Sequence, residues 1–206
     1  GCSVLVCASL RSAGVAVDSV YDLVNRAETP DAAFPVLATW LVRVKSDRMK
    51  EGIARALSAR KARAAAFGAL VQEFSSSDAA TRSQMQVKWA VANAIAVMAR
   101  KEDIPCLLAL TGQERHGQAR EMLVVALGRL GAVEAVPLLL ALLGEPELRM
   151  AAARALVALK GSEARTYLEA LLSDVTGAQR EQLRKMLARH PKGPYDGRRA
   201  SNGSPL

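Results

Sequence analysis

A pattern of about thirty residues recurs along the chain, and it limits the possible folds more than any other feature. Ala94-Ile95 aligns with Ala126-Leu127 at a shift of 32, and with Ala155-Leu156 after a further 29. The same shifts superpose Glu102, Glu134 and Glu163, then Leu107, Leu139 and Leu168, then Leu110, Leu142 and Leu171. Pro105 falls on Pro137. Weaker copies start near Asp47 (DRMKEGIARAL) and run from Ser19 through TPDAAFPVLATWL, and the last unit is a single helix, AQREQLRKMLARH.

Each unit reads as two helices joined by a short turn. In the clearest unit, helix A covers about 119–130, Gly131 supplies the left-handed residue that ends it, and helix B opens near Glu134. Pro137 then lies in the first turn of helix B, where its missing N–H has no intrahelical acceptor to lose. Pro105 and Pro35 hold the matching place. Val136, Leu139, Leu140 and Leu143, at i, i+3, i+4 and i+7, predict the inward face. A lone helix pair cannot bury such a face, so neighbouring units must stack on it. The Ala-rich side of helix A (Ala151, Ala152, Ala155) permits close approach. The expected fold is all-α, a right-handed α-solenoid of stacked helix pairs.

Composition agrees. Of 206 residues, 50% are hydrophobic but only 4% aromatic, which favours helix over strand. Residues 1–17 form an N-terminal apolar segment expected to pack on the first helices, and 18–190 form the solenoid. Its C-terminal cap is a helix over 178–190 presenting Leu183, Met186 and Leu187. Residues 191–206, rich in Pro, Gly, Ser and Arg, predict a disordered basic tail. Residues 75–84 predict an extended loop and a hinge.

At the level of motif, LGRLGAVEAVPLLLALL and LRMAAARALVAL resemble the short bacterial HEAT repeats also found in phycobilisome-lyase-like proteins. The shared features are an Arg before an Ala-rich helix (Arg149, Leu156), a Leu-Gly turn (Leu130-Gly131), and Glu134 and Pro137 opening a Leu-rich helix. The resemblance covers residues 81–175 well and 18–80 loosely, and Lys160-Gly161 and Arg165 depart from it. It implies a fold rather than an activity, since such arrays host many roles. It also implies that the concave surface, lined by the B helices, does the binding.

With the inward face above, the opposite stripe is Glu134, Leu138, Ala141 and Glu145. The register carries it to Cys106 and Gln113 in the preceding unit, to Glu163, Tyr167 and Asp174 in the following one, and to Ala62, Ala66, Ala69 and Glu73 earlier. This stripe is small-apolar with acidic edges, and it suits a protein or peptide partner carrying basic residues. The expected function is a non-enzymatic binding scaffold. Trp40 aligns with interior positions, whereas Trp89 is expected to be partly exposed.

The net charge of +8 offers an alternative, because it is concentrated in 43–63 and 184–199. Lys45, Arg48, Lys50, Arg60, Lys61 and Arg63 would then contact nucleic acid or an anionic surface. A third reading, a bilin-lyase-type accessory enzyme, is implied by the resemblance alone. No catalytic constellation, cofactor or metal is expected. His116 and His190 lie apart from any Cys or carboxylate cluster, and Cys106 aligns with Leu138 as a small apolar residue. Cys2, Cys7 and Cys106 make no C-x-x-C pair, which favours a reducing, cytoplasmic setting. The alternative is a lipid anchor on Cys2, if Gly1 follows a cleaved signal.

Overall fold

Local signals fix the helix ends. In the computed structural model, which describes residues 2–77 and 80–189, Gly131 adopts φ 74° and ψ 31° and ends α8 (Arg120–Leu130). The chain then makes a 3-10 turn over Val133–Ala135 and enters α9 (Val136–Leu142), with Pro137 in its first turn. Pro105 does the same for α7 (Ile104–Thr111), and Pro35 sits in the first turn of α3 (Ala33–Leu41). The prolines therefore mark helix starts, as their missing N–H requires. Ser19 and Thr81 form capping boxes that open α2 (Val20–Val24) and α6 (Arg82–Met98), and Ser46 caps α4 (Asp47–Ala56).

The remaining helices are α1 (Cys2–Ser12), α5 (Arg63–Ser76), α10 (Arg149–Lys160), α11 (Arg165–Leu171) and α12 (Gly177–Arg189). No strand occurs among the described residues, and the fold is all-α. The loop expected over 75–84 is shorter than that. Helix α5 continues through Ser76, with Ser75 and Ser76 turning their hydroxyls back onto the carbonyls of Val71 and Gln72. The expected tail, with His190, and the lipid-anchor site on the Cys2 side chain fall outside what is described. No helix of the described chain is long and apolar enough to cross a membrane.

The chain divides into two compact units, Gly1–Ala132 and Val133–Leu206. In the first, α4 packs between α2 and α6, and α6 packs on α8, forming a row of A helices. Helices α3 and α5 pair as B helices, and α3, α5 and α7 each pack on the A helix that follows. Helix α1 closes the N-terminal end by burying Val6, Cys7 and Leu10. In the second unit α9 packs on α10, and α12 covers α10 and α11 through Leu183 and Leu187. Stacked helix pairs of the solenoid type are thus present in each unit.

The repeat register predicts the core well. Leu107, Leu139 and Leu168 are at most 1% exposed, and Leu110, Leu142 and Leu171 are also buried. The inward face of α9 is a correction, however. Its buried line is Ala135, Leu139 and Leu142, whereas Val136, Leu140 and Leu143 are only half-buried. Leucines on nearly every side of this helix leave the apolar pattern without a unique phase.

Each later A helix also carries a cation that the repeat places on the preceding B helix. Lys88, Arg120 and Arg149 superpose under the same shifts of 32 and 29. Lys88 Nζ donates to the carbonyl of Ser77, the C-cap of α5. Arg120 Nη1 donates to Thr111, the last residue of α7, at 3.3 Å. Arg149 Nε donates to Leu143, the C-cap of α9, at 2.9 Å. Helix C-termini leave carbonyls unpaired and carry partial negative charge, and the side chain answers both. Lys88 and Arg120 do so while 1% and 3% exposed.

Candidate functional site

The B-helix side of the second unit holds an open groove of about 420 Å³. Helix α9 contributes Leu140 and, just beyond it, Leu143 and Gly144. Helix α11 contributes Tyr167, Ala170 and Leu171, and Asp174 follows in the next turn. Arg149 lines the α9 side, its Nε already given to the Leu143 carbonyl. Leu140 and Leu143 are exposed enough to line this groove because Leu139 and Leu142 take the interior. Tyr167 is 41% exposed. The groove thus has an aliphatic floor, an aromatic wall and one charged group of each sign.

The proposed stripe is brought together in part. Tyr167 and Asp174 stand in the groove. Glu134, Ala141 and Glu163 are exposed and Leu138 and Glu145 half-buried, but none of these five lines it. Glu163 faces Lys160 Nζ at 3.7 Å. Cys106 and Gln113 belong to the first unit and are half-buried there. Gln113 is tied locally, donating to the Ala109 carbonyl and accepting from Arg115. Leu140 and Leu143 line the groove although the sequence places them inward, because the run LLLALL does not say which leucines point inward.

In the first unit, the B-helix face between α3 and α5 forms a shallow depression of about 590 Å³ lined by small side chains, among them Pro35, Ala38, Ala64, Ala65 and Ala69. Of the alanines expected in the earlier stripe only Ala69 is there; Ala62, Ala66 and Glu73 are buried. The true shift between α5 and α7 is one residue longer than the alignment used, so Ala66 matches Leu107, and one residue turns a helix by about 100°. Trp40 is half-buried rather than interior, because Leu41, fully buried, takes that place. Trp89 is 39% exposed, in keeping with its position on helix A.

The basic segment does not form one surface. Lys50 Nζ meets Glu73 at 2.6 Å, a carboxylate that is itself buried. Lys61 meets Glu28 at 2.6 Å and Asp31 at 3.0 Å, and these hydrogen bonds raise its pKa. Arg63 makes two parallel hydrogen bonds to Asp103, at 2.6 and 2.9 Å. Three of the six candidate cations are therefore already engaged with carboxylates. Of the rest, Lys45 borders a cavity between the ends of α3 and α5 and the starts of α4 and α6, while Arg60 borders another at the far end of α4. Arg48 lies over the ring of Tyr21.

Cys7, Cys106 and His116, the described thiols and imidazole, are all shifted by burial. Burial pushes the thiols of Cys7 and Cys106 up, away from the nucleophilic thiolate. His116 is fully buried in the turn between α7 and α8, its ring centroid 4.5 Å from that of Phe74, with neither ring nitrogen hydrogen-bonded. Burial, reinforced by the charges of Lys88, Arg115 and Arg120, lowers its pKa to about 4. Among the described residues, no three His, Cys, Asp or Glu side chains gather as a metal site needs.

Comparison with known proteins adds one match. The HEAT repeats family matches residues 113–188, from the turn before α8 to the last turns of α12. This stretch is similar to the HEAT repeats and contains the whole groove. No curated protein and no solved structure matches the chain.

Proposed function

We propose that the protein is a non-enzymatic scaffold whose B-helix face binds a peptide segment of a partner protein, one that carries basic residues. The observation that carries this reading is the groove between α9 and α11, where Leu140, Leu143 and Tyr167 offer apolar surface to solvent beside the carboxylate of Asp174. An aliphatic floor with few, placed polar groups is the usual make-up of a recognition site. HEAT repeats commonly serve as interaction scaffolds, which supports the same reading. The setting is cytoplasmic, in keeping with Cys7 and Cys106 as free thiols. Nucleic-acid binding through 43–63 is the weaker reading, because half of its cations are neutralised in place. For a lyase role, the two described thiols, Cys7 and Cys106, are raised in pKa by burial rather than activated.

The experiment is selection from a displayed random-peptide library on the full chain, repeated with Leu140→Asp. Enriched peptides that bind the native protein and lose affinity for the variant, whose melting temperature stays within a few degrees, support the reading. Failure to enrich any peptide, or enrichment indifferent to Leu140→Asp, contradicts it.

A further inference from the structure

The first unit holds a cavity of about 410 Å³ where α3 and α5 end and α4 and α6 begin. Lys50 and Glu73 stand in its wall, joined at 2.6 Å. The Glu73 side chain is 4% exposed and that of Lys50 20%, so a buried carboxylate fixes the direction of the ammonium. One of the three ammonium protons is spent on this bond, and the other two still need acceptors. Ser77 also lines the cavity, and its Oγ is buried with no hydrogen-bond partner. Gln84 Oε1 accepts the N–H of Thr81, which leaves the amide nitrogen as a donor. The wall thus carries more donors than the fold uses, and a buried polar group without a partner is costly.

Charge points the same way. Arg43 and Lys45, both exposed, line the cavity with neither an ion pair nor a side-chain hydrogen bond among the described residues. Of the two carboxylates in the lining, Glu73 is neutralised by Lys50, and Asp47 holds the hydroxyl of Ser83 at 2.6 Å. The uncommitted charge is therefore two cations against one anion. We infer that this cavity binds a single phosphate group, free or as a small monoester. Its oxygens accept from the spare Lys50 protons, the Ser77 hydroxyl and the Gln84 amide, while Arg43 and Lys45 balance its charge. A nucleic-acid backbone would need a row of such cations. One phosphate needs only these.

The test titrates the isotope-labelled full chain with inorganic phosphate and, separately, with glycerol 3-phosphate, at ionic strength held constant with sodium chloride. Saturable amide shifts at Lys45, Lys50, Ser77 and Gln84 are expected with both probes, and the tighter of the two tells free phosphate from a monoester. Ser77→Ala should weaken binding about two- to tenfold with an unchanged melting temperature, because its Oγ serves no bond in the fold. Lys45→Ala should weaken it by a similar factor. Shifts that do not saturate, or that lie away from these residues, overturn the inference. So does an affinity indifferent to both substitutions.

Discussion

Arg63 and Asp103 join α5 to the turn before α7 through a bidentate pair, Nη1 to Oδ2 at 2.6 Å and Nη2 to Oδ1 at 2.9 Å. Asp103 also accepts the backbone N–H of Arg100 at 2.8 Å, and Arg63 Nη1 reaches the Met98 carbonyl at 3.3 Å. Burial opposes ionisation of this carboxylate, yet the Arg63 hydrogen bonds and the Arg100 amide outweigh it and hold its pKa below the usual range. The pair is therefore a structural tie, and a residue that looks free to bind phosphate in the sequence is spent within the fold. Arg63→Ala should cost about 2–4 kcal/mol, since it strands a largely buried carboxylate. Arg63→Lys should recover less than half, because an ammonium cannot reproduce the fork. Urea unfolding with an unchanged m value checks both.

Gly131 makes a second prediction. A Cβ there would meet nothing within 4 Å, so the cost of Gly131→Ala comes from the positive φ of 74° alone. The loss should be about 1 kcal/mol, with Gly131→Asn milder. Thermal unfolding of the two variants should rank them in that order.

Acid should weaken the fold through His116. Its pKa is lowered to about 4 in the folded protein, against 6.5 when exposed. The unfolded chain therefore takes up a proton first as pH falls. Stability is unaffected well above pH 6.5, declines between about 6.5 and 4, and levels off below. The loss from this group is at most about 3 kcal/mol. His116→Leu should remove that part of the pH dependence and leave stability at pH 8 unchanged or higher, since the imidazole nitrogens have no partners to lose. Denaturation midpoints at pH 8, 6 and 4 for both proteins decide it.

The cations at the B-helix C-termini predict a shared behaviour. Arg149→Ala leaves the Leu143 carbonyl without its side-chain donor and should cost about 1–2 kcal/mol. Arg120→Ala, which uncovers the carbonyls of Thr111 and Gly117 in a buried position, should cost more, about 2–3 kcal/mol. Equal losses at the two sites in chemical denaturation would contradict this ranking.

What could be read in the sequence was whatever recurs. Leu107, Leu139 and Leu168 are buried where the shifts align them, and Gly131, Pro105 and Pro137 mark helix boundaries because their backbone chemistry allows little else. The phase of α9 was not legible, since a helix with leucines at 138, 139, 140, 142 and 143 has no single apolar stripe. Nor was the register of α5, where one residue of turn length moved Ala62 and Ala66 from the surface to the core. Helical spacing put Tyr167 and Asp174 on one exposed stripe and both line the groove, while Leu140 and Leu143, which line it too, were assigned to the interior. The burial of Lys88 runs against its residue type and follows from the carbonyl it meets at the end of α5, whereas His116 is buried against Phe74 with no polar partner.

The most direct measurement is a titration of isotope-labelled protein with an enriched peptide, followed by amide shifts in two-dimensional NMR spectra. The largest changes are expected at Leu140, Leu143, Gly144, Tyr167, Ala170 and Asp174, which line the groove. Changes centred on Lys45, Arg48 and Arg60, with the groove amides unmoved, would contradict it.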